Sequence, residues 1–307
     1  MELSYAIARY EQALELLPVR WQQLARRLPD WRKAQAEEFR LRTGRPMTVL
    51  TCEGEILVSD DLPRPLVTQS DLEQLCDMVT GYSRYAVSET LSKGYLIGRG
   101  GFRVGVCGTA VLRDGVNTNL RDISSVTVRI SRQVRGAAEP LLAELWEPEG
   151  FPSTLLLAPP GVGKTTLLRD MICTLSDGSE ARPACRVGVV DERGELAAMY
   201  RGVPQLEVGA HTDVLDGCPK ALGISMLLRA ANPQIIAVDE ITAEEDLRAM
   251  LAAANCGVRL LATIHAADRE ELARKPLFAR LLEMQVFRRL VTIAVENGHR
   301  VYRTETL

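Results

Sequence analysis

The sequence predicts an α/β protein with a smaller α+β domain over residues 1–140 and a parallel-sheet domain over residues 141–307. Three observations lead there. Apolar residues near the amino terminus recur at helical spacing, the stretch that follows alternates short β-prone runs with glycine pairs, and beyond residue 150 short uninterrupted apolar runs alternate with helical segments. A chain of 307 residues accommodates two cores, because domains commonly run to ~100–150 residues. With 46% hydrophobic and 25% charged residues, it has the composition of folded protein rather than of disorder.

In chain order, Leu14, Leu17, Trp21, Leu24 and Leu28 form a helical stripe that Pro18 and Pro29 interrupt, which predicts two or three short helices. The period then shifts toward two through Phe39, Leu41, Met47 and Val49. "GRGG" between "YLI" and "FRVGV" has the composition of a hairpin turn, and "SSVTVRISRQ" reads as a further strand. A helical connection, "GAAEPLLAELWEPEG", leads into the second half. There "STLLLA", "RVGVVDE", "QIIAVDE", "RLLATIH" and "LVTIAVE" read as strands, "KTTLLRDMICTL", "CPKALGISMLLRAA", "AEEDLRAMLAAA" and "REELARKPLFARLLEM" as helices, and "HRVYR" closes the chain. That alternation implies a parallel sheet covered on both faces.

Bulk properties exclude several classes. The net charge of −3 and a pI near 5.8 give no overall pull toward nucleic acid or anionic lipid. Seven scattered cysteines without a C-x-x-C pair argue against a disulfide framework or zinc site and fit a reducing compartment. The glutamate-bearing amino terminus is not a signal peptide, and no run reaches the ~18–20 apolar residues of a transmembrane helix.

The chemistry concentrates at strand ends. "APPGVGKTT", comprising Ala158, Pro159, Pro160, Gly161, Val162, Gly163, Lys164, Thr165 and Thr166, follows an apolar strand and opens a helix. In that context the loop amides and the helix amino terminus cradle phosphates, Lys164 supplies a charge for the terminal phosphates of ATP, and Thr165 offers a hydroxyl to Mg²⁺. Ala158 stands where the usual pattern has glycine, a minor departure if its φ is negative. Asp239 and Glu240 end a strand expected beside the loop strand; Asp239 can hold the metal while Glu240 polarises the attacking water. Glu192 in "VVDERGEL" reads as a second metal-side carboxylate, and His265 in "LLATIHAAD" as a sensor of the γ-phosphate or of the water.

These motifs carry a resemblance. "VVDERGEL", "VDE" and "TIHAAD" are similar to the acidic and histidine boxes of the type II/type IV secretion ATPases. More narrowly, "EEFRLRTGRP", "LRAANPQIIAVDEI" and the run "GVPQ…TDVLDGCPK" resemble a sporulation-associated branch of endospore-forming bacteria, across nearly the whole chain. The resemblance implies a RecA-like P-loop ATPase domain behind the smaller α+β domain. It implies a cytoplasmic hexamer at the mother-cell face of the forespore membrane, docked on membrane-embedded channel proteins of the sporulation complex. It also implies arginines lent to a neighbouring subunit's nucleotide. "SVTVRISRQVR" offers Arg129 first, with Arg132 and Arg135; Arg103 is weaker.

Two alternatives stand beside this reading. A RecA-like nucleic-acid motor would show a basic stripe or interleaved aromatics, whereas aromatics are 5% here and the charge is acidic. A nucleotide-gated, non-hydrolysing scaffold would not need the complete set Lys164, Thr165, Asp239 and Glu240.

Overall fold

The computed structural model describes residues 3–81, 92, 94–266, 268–296 and 299–307, and the chain separates into two compact units. Ala267 of the "TIHAAD" motif lies outside the described residues. The first unit comprises Met1–Arg132 together with Ala198–Gln205, and the second comprises Gln133–Ala197 and Leu206–Leu307.

The first unit opens with three short helices, α1 (Leu3–Leu14), α2 (Val19–Ala25) and α3 (Asp30–Gln35). Pro18 and Pro29 stand immediately before α2 and α3, where a missing N–H costs nothing because the first helical amides have no partner. The antiparallel strands β1 (Ala36–Arg42), β2 (Thr48–Thr51), β3 (Gly54–Leu57), β4 (Tyr95–Gly98), β5 (Phe102–Arg113) and β6 (Val116–Arg129) form a sheet in the order β3-β2-β1-β6-β5-β4. The predicted turn at "GRGG" joins β4 to β5. Tyr10 packs edge-on against Phe39 with ring centroids 4.9 Å apart, and its hydroxyl donates to the Ala25 carbonyl at 2.9 Å. Helix α4 (Gln69–Thr80) starts at a reciprocal cap between Thr68 and Asp71 and stops at left-handed Gly81.

The second unit begins with α5 (Glu139–Leu145), then β7 (Thr154–Ala158), α6 (Lys164–Asp177), β8 (Val187–Asp191), β9 (Thr212–Asp216), α7 (Lys220–Ala230), β10 (Ile235–Val238), α8 (Glu244–Asn255) and β11 (Arg259–His265). It ends with α9 (Arg269–Arg274), α10 (Pro276–Glu283), β12 (Arg289–Glu296) and β13 (His299–Thr306). The sheet order is β13-β12-β7-β11-β10-β8-β9. All pairings are parallel except β12 with β13. Every residue of β7, β8 and β10 is buried, which explains why these strands read as unbroken apolar runs. Ile224, Leu247, Met250 and Phe278 cover one face against Leu155, Leu157 and Ile236. Helix α6 brings buried Leu167, Leu168 and Met171 from outside that cluster, so the sheet is covered on both sides.

Three expectations change. The segment "REELARKPLFARLLEM" is two helices, because Lys275 takes an extended conformation before Pro276. "TDVLD" is an additional edge strand, β9. The Asp239 strand does not lie beside the loop strand, because β11 is inserted between β7 and β10. Among the described residues no helix is long and apolar enough to cross a membrane.

Candidate nucleotide site

The insertion of β11 is what assembles the site. Register places His265 opposite Ala158 and Ala262 opposite Val238. Both polar ends of "TIH" therefore sit between the phosphate loop and the Asp239–Glu240 turn, at the carboxyl edge of the sheet where such folds bind ligands.

Ala158 is the buried last residue of β7 and lies outside the left-handed region, which Gly161 (φ 81°) and Gly163 (φ 95°) occupy. The loop thus needs glycine only at its later positions. Lys164 is buried, and its Nζ donates to the Ala158 carbonyl at 3.2 Å, the Pro159 carbonyl at 3.4 Å and His265 Nδ1 at 2.7 Å. Burial lowers its pKa, while Asp239 and Glu240 act in the opposite direction. An ammonium group only donates, so a charged Lys164 uses Nδ1 of His265 as its acceptor, and Nε2 of the same ring faces Glu240 Oε1 at 3.3 Å.

Thr165 Oγ1 donates to Asp239 Oδ2 at 2.7 Å. Buried Thr263 donates to Asp239 Oδ1 and accepts from the Glu240 amide at 2.8 Å. Glu240 itself has φ 55°, an uncommon conformation for a residue with a side chain. The turn sends the two carboxylates apart, Asp239 toward Thr165 and Glu240 toward His265 and Arg193, with which it forms an ion pair.

The "VVDERGEL" strand end behaves differently. Asp191 accepts from the amides of Glu195, Leu196 and Ala197 at 2.8, 3.0 and 2.8 Å, so its carboxylate shapes the following turn. Arg169 of α6 donates to the Leu196 carbonyl at 2.7 Å and also bonds the Glu195 carbonyl, tying the same turn to the helix behind the phosphate loop. Glu192 pairs with buried Lys220. A pocket between this strand end and the Asp239–Glu240 turn is lined by Asp191, Glu192, Arg193, Glu195, Lys220, Asp239 and Glu240.

Lys164, Thr165, Asp239, Glu240 and His265 are thus one connected constellation. Arg129 belongs to the first unit, exposed at the end of β6 opposite Glu38. Arg132 donates to the Ala36 carbonyl at 2.6 Å, and Arg135 interacts with Cys173, Asp177 and Glu207. Both are therefore engaged within their own units. Arg103 stacks on Tyr95 at 4.2 Å. Thr263 and Arg193 stand in the strand ends "LLATIHAAD" and "VVDERGEL" with no role assigned from the sequence, and Arg300 was not singled out; Arg300 Nε donates to the Val162 carbonyl at 2.9 Å. Thr263, inside "TIH", and Arg193, inside "VVDERGEL", carried a local signal; Arg300 carried none.

A phosphate loop, an inserted central strand and paired acids on the next strand but one make up a RecA-like P-loop ATPase fold, which two ATPases of solved structure share. The ATPase DotB of Legionella pneumophila superposes with a TM-score of 0.61 at 19% identity, covering 95% of this chain and 81% of that one. The pilus retraction motor PilT with bound ADP gives 0.59 at 17%, covering 89% and 79%. The sequence pattern of Sporulation stage III, protein AA matches residues 8–303, and the chain belongs to that family. It is 36% identical over 284 residues to the stage III sporulation protein AA of Bacillus subtilis (strain 168), covering 92% of this chain and 91% of that protein.

Proposed function

We propose that this chain is an ATP hydrolase that serves as the motor of a secretion-like channel complex in endospore formation. The observation that carries the proposal is the contact between Thr165 and Asp239 at 2.7 Å beside a buried Lys164. A hydroxyl and a carboxylate converge there next to glycine-lined amides, a donor set suited to a hard divalent cation and a polyphosphate.

In this reading Ala158 to Thr166 bind the phosphates, and Lys164 exchanges its carbonyl and His265 contacts for the terminal phosphates. Thr165 and Asp239 hold the metal. Bound Mg²⁺-ATP supplies the phosphoanhydride and the charge that neutralises its leaving group. Glu240, held by the hydrogen bond that its backbone amide donates to the Thr263 hydroxyl, accepts the proton of the attacking water. His265, in contact with both Lys164 and Glu240, reports the displacement of Lys164 to the base. Glu192 serves as a further acid on the metal side once released from Lys220, and Arg129 acts in trans on a neighbouring subunit's nucleotide. The working form is a hexamer at the mother-cell face of the forespore membrane, docked on membrane-embedded channel proteins, with no nucleic-acid substrate.

Two variants test the core assignment. Lys164→Ala abolishes hydrolysis and weakens nucleotide binding, whereas Glu240→Gln retains Mg²⁺-ATP and loses turnover. Titration of a fluorescent ATP analogue alongside phosphate release separates them. Wild-type turnover in Lys164→Ala defeats the site assignment, and equal loss of affinity in both variants defeats the division of roles.

A further inference from the structure

The last hairpin of the chain reaches the phosphate loop. Arg300, on β13, spans 138 residues of sequence to donate its Nε proton to the Val162 carbonyl at 2.9 Å. The same placement has a steric side. A Cβ built on Gly163 would stand 2.7 Å from Nη2, 2.9 Å from Cζ and 3.1 Å from Nε of Arg300, so the guanidinium occupies the space that a side chain there would fill. The same hairpin is joined to the base of the loop, because β13 pairs with β12 and β12 pairs in parallel with β7. The loop is therefore gripped by one structural element at both its root and its crown.

We propose that Arg300 is a positioning residue of the nucleotide site, clamping the phosphate loop through the Val162 carbonyl. A loop that turns its amides inward toward phosphate turns carbonyls outward. An outward carbonyl held by a guanidinium keeps the peptide plane, and with it the adjoining amide, in the phosphate-ready orientation. The bond also draws electron density toward the carbonyl oxygen, which makes that amide a stronger donor. Gly163 is bare for two reasons at once: its φ of 95° disfavours a side chain, and the arginine needs the space. The proposal rests on the nucleotide-binding reading above and extends the site to the final strand.

The test uses the full-length protein with Arg300→Ala, Arg300→Lys and a control, Arg303→Ala, which removes the ion pair to Glu296 on the same hairpin. Hydrogen exchange of the amides at 161–165 is measured without nucleotide, and affinity is measured with a fluorescent ADP analogue and Mg²⁺. Arg300→Ala accelerates exchange in the loop and weakens affinity roughly tenfold, the scale of one charge-assisted hydrogen bond. It raises KM more than it lowers kcat, and Arg300→Lys recovers part of the loss while Arg303→Ala matches wild type. Unchanged loop exchange and affinity in Arg300→Ala overturn the proposal, and so does an Arg303→Ala variant with the same losses, because general loosening of the hairpin would then account for both. If the wild-type chain binds no adenine nucleotide, the functional reading fails by itself, and loop exchange still decides whether Arg300 is a clamp.

Discussion

Thr263 is the residue on which the two acids depend. Its single hydroxyl donates to Asp239 and accepts from the amide of Glu240, and it is fully buried. Valine keeps the shape but strands both partners, so Thr263→Val is expected to cost about 1–3 kcal/mol in stability, the penalty of unmade buried hydrogen bonds. It should lower turnover more than nucleotide affinity, because Lys164 and the loop stay intact. Thr263→Ser restores the hydroxyl and should recover most of both losses in thermal melts and phosphate-release assays. The strand-end acids, Lys164 and Thr165 were legible because each stands in a short pattern of fixed local meaning. The pairing of Arg193 with Glu240 and the reach of Arg300 were not: 47 residues separate Arg193 from Glu240, and 138 separate Arg300 from Val162. Contacts of that span are set by the sheet order, which periodicity does not encode.

At the scale of elements, the parallel strands were legible where burial on both faces makes them continuously apolar. β9 was not, because an edge strand reading Thr-Asp-Val-Leu-Asp has only two apolar residues and none fully buried. The antiparallel sheet of the first unit carries its own electrostatic test. Glu55 of β3 accepts from Arg42 with both oxygens at 2.9 Å and from Thr48 at 2.8 Å, and these bonds, Arg42 first, hold its pKa at about 2. A lowered folded-state pKa contributes stability above the unfolded value of 4.5, and that contribution is lost as pH falls from there toward 2. The side chain is 32% exposed, so solvent screening limits the effect to about 1 kcal/mol. Glu55→Gln should be less stable than wild type near neutrality and approach it at pH 2 to 3, as followed by denaturant titration. A constant difference across that range assigns the effect to packing instead.

For the whole molecule, the proposed motor requires subunits that complete one another's sites. Arg129, exposed at the end of β6, has the reach of a group offered outward. If it acts in trans, Arg129→Ala and Lys164→Ala proteins are each inactive, and mixing them restores part of the rate by pairing an intact loop with an intact arginine. Solution mass with and without nucleotide accompanies the assay. Normal turnover of the Arg129→Ala protein alone, or no recovery on mixing, removes Arg129 from the mechanism. The return of Ala198–Gln205 to the first unit has a consequence for how the chain is made. Gln205 Oε1 accepts from the amide of Gly100 at 2.8 Å, inside the β4–β5 turn. Synthesis runs from the amino terminus, and domains tend to fold as they emerge from the ribosome. The turn gains this partner only after β7, α6 and β8 have been translated, so the first unit's last contact is made when the second is already under way.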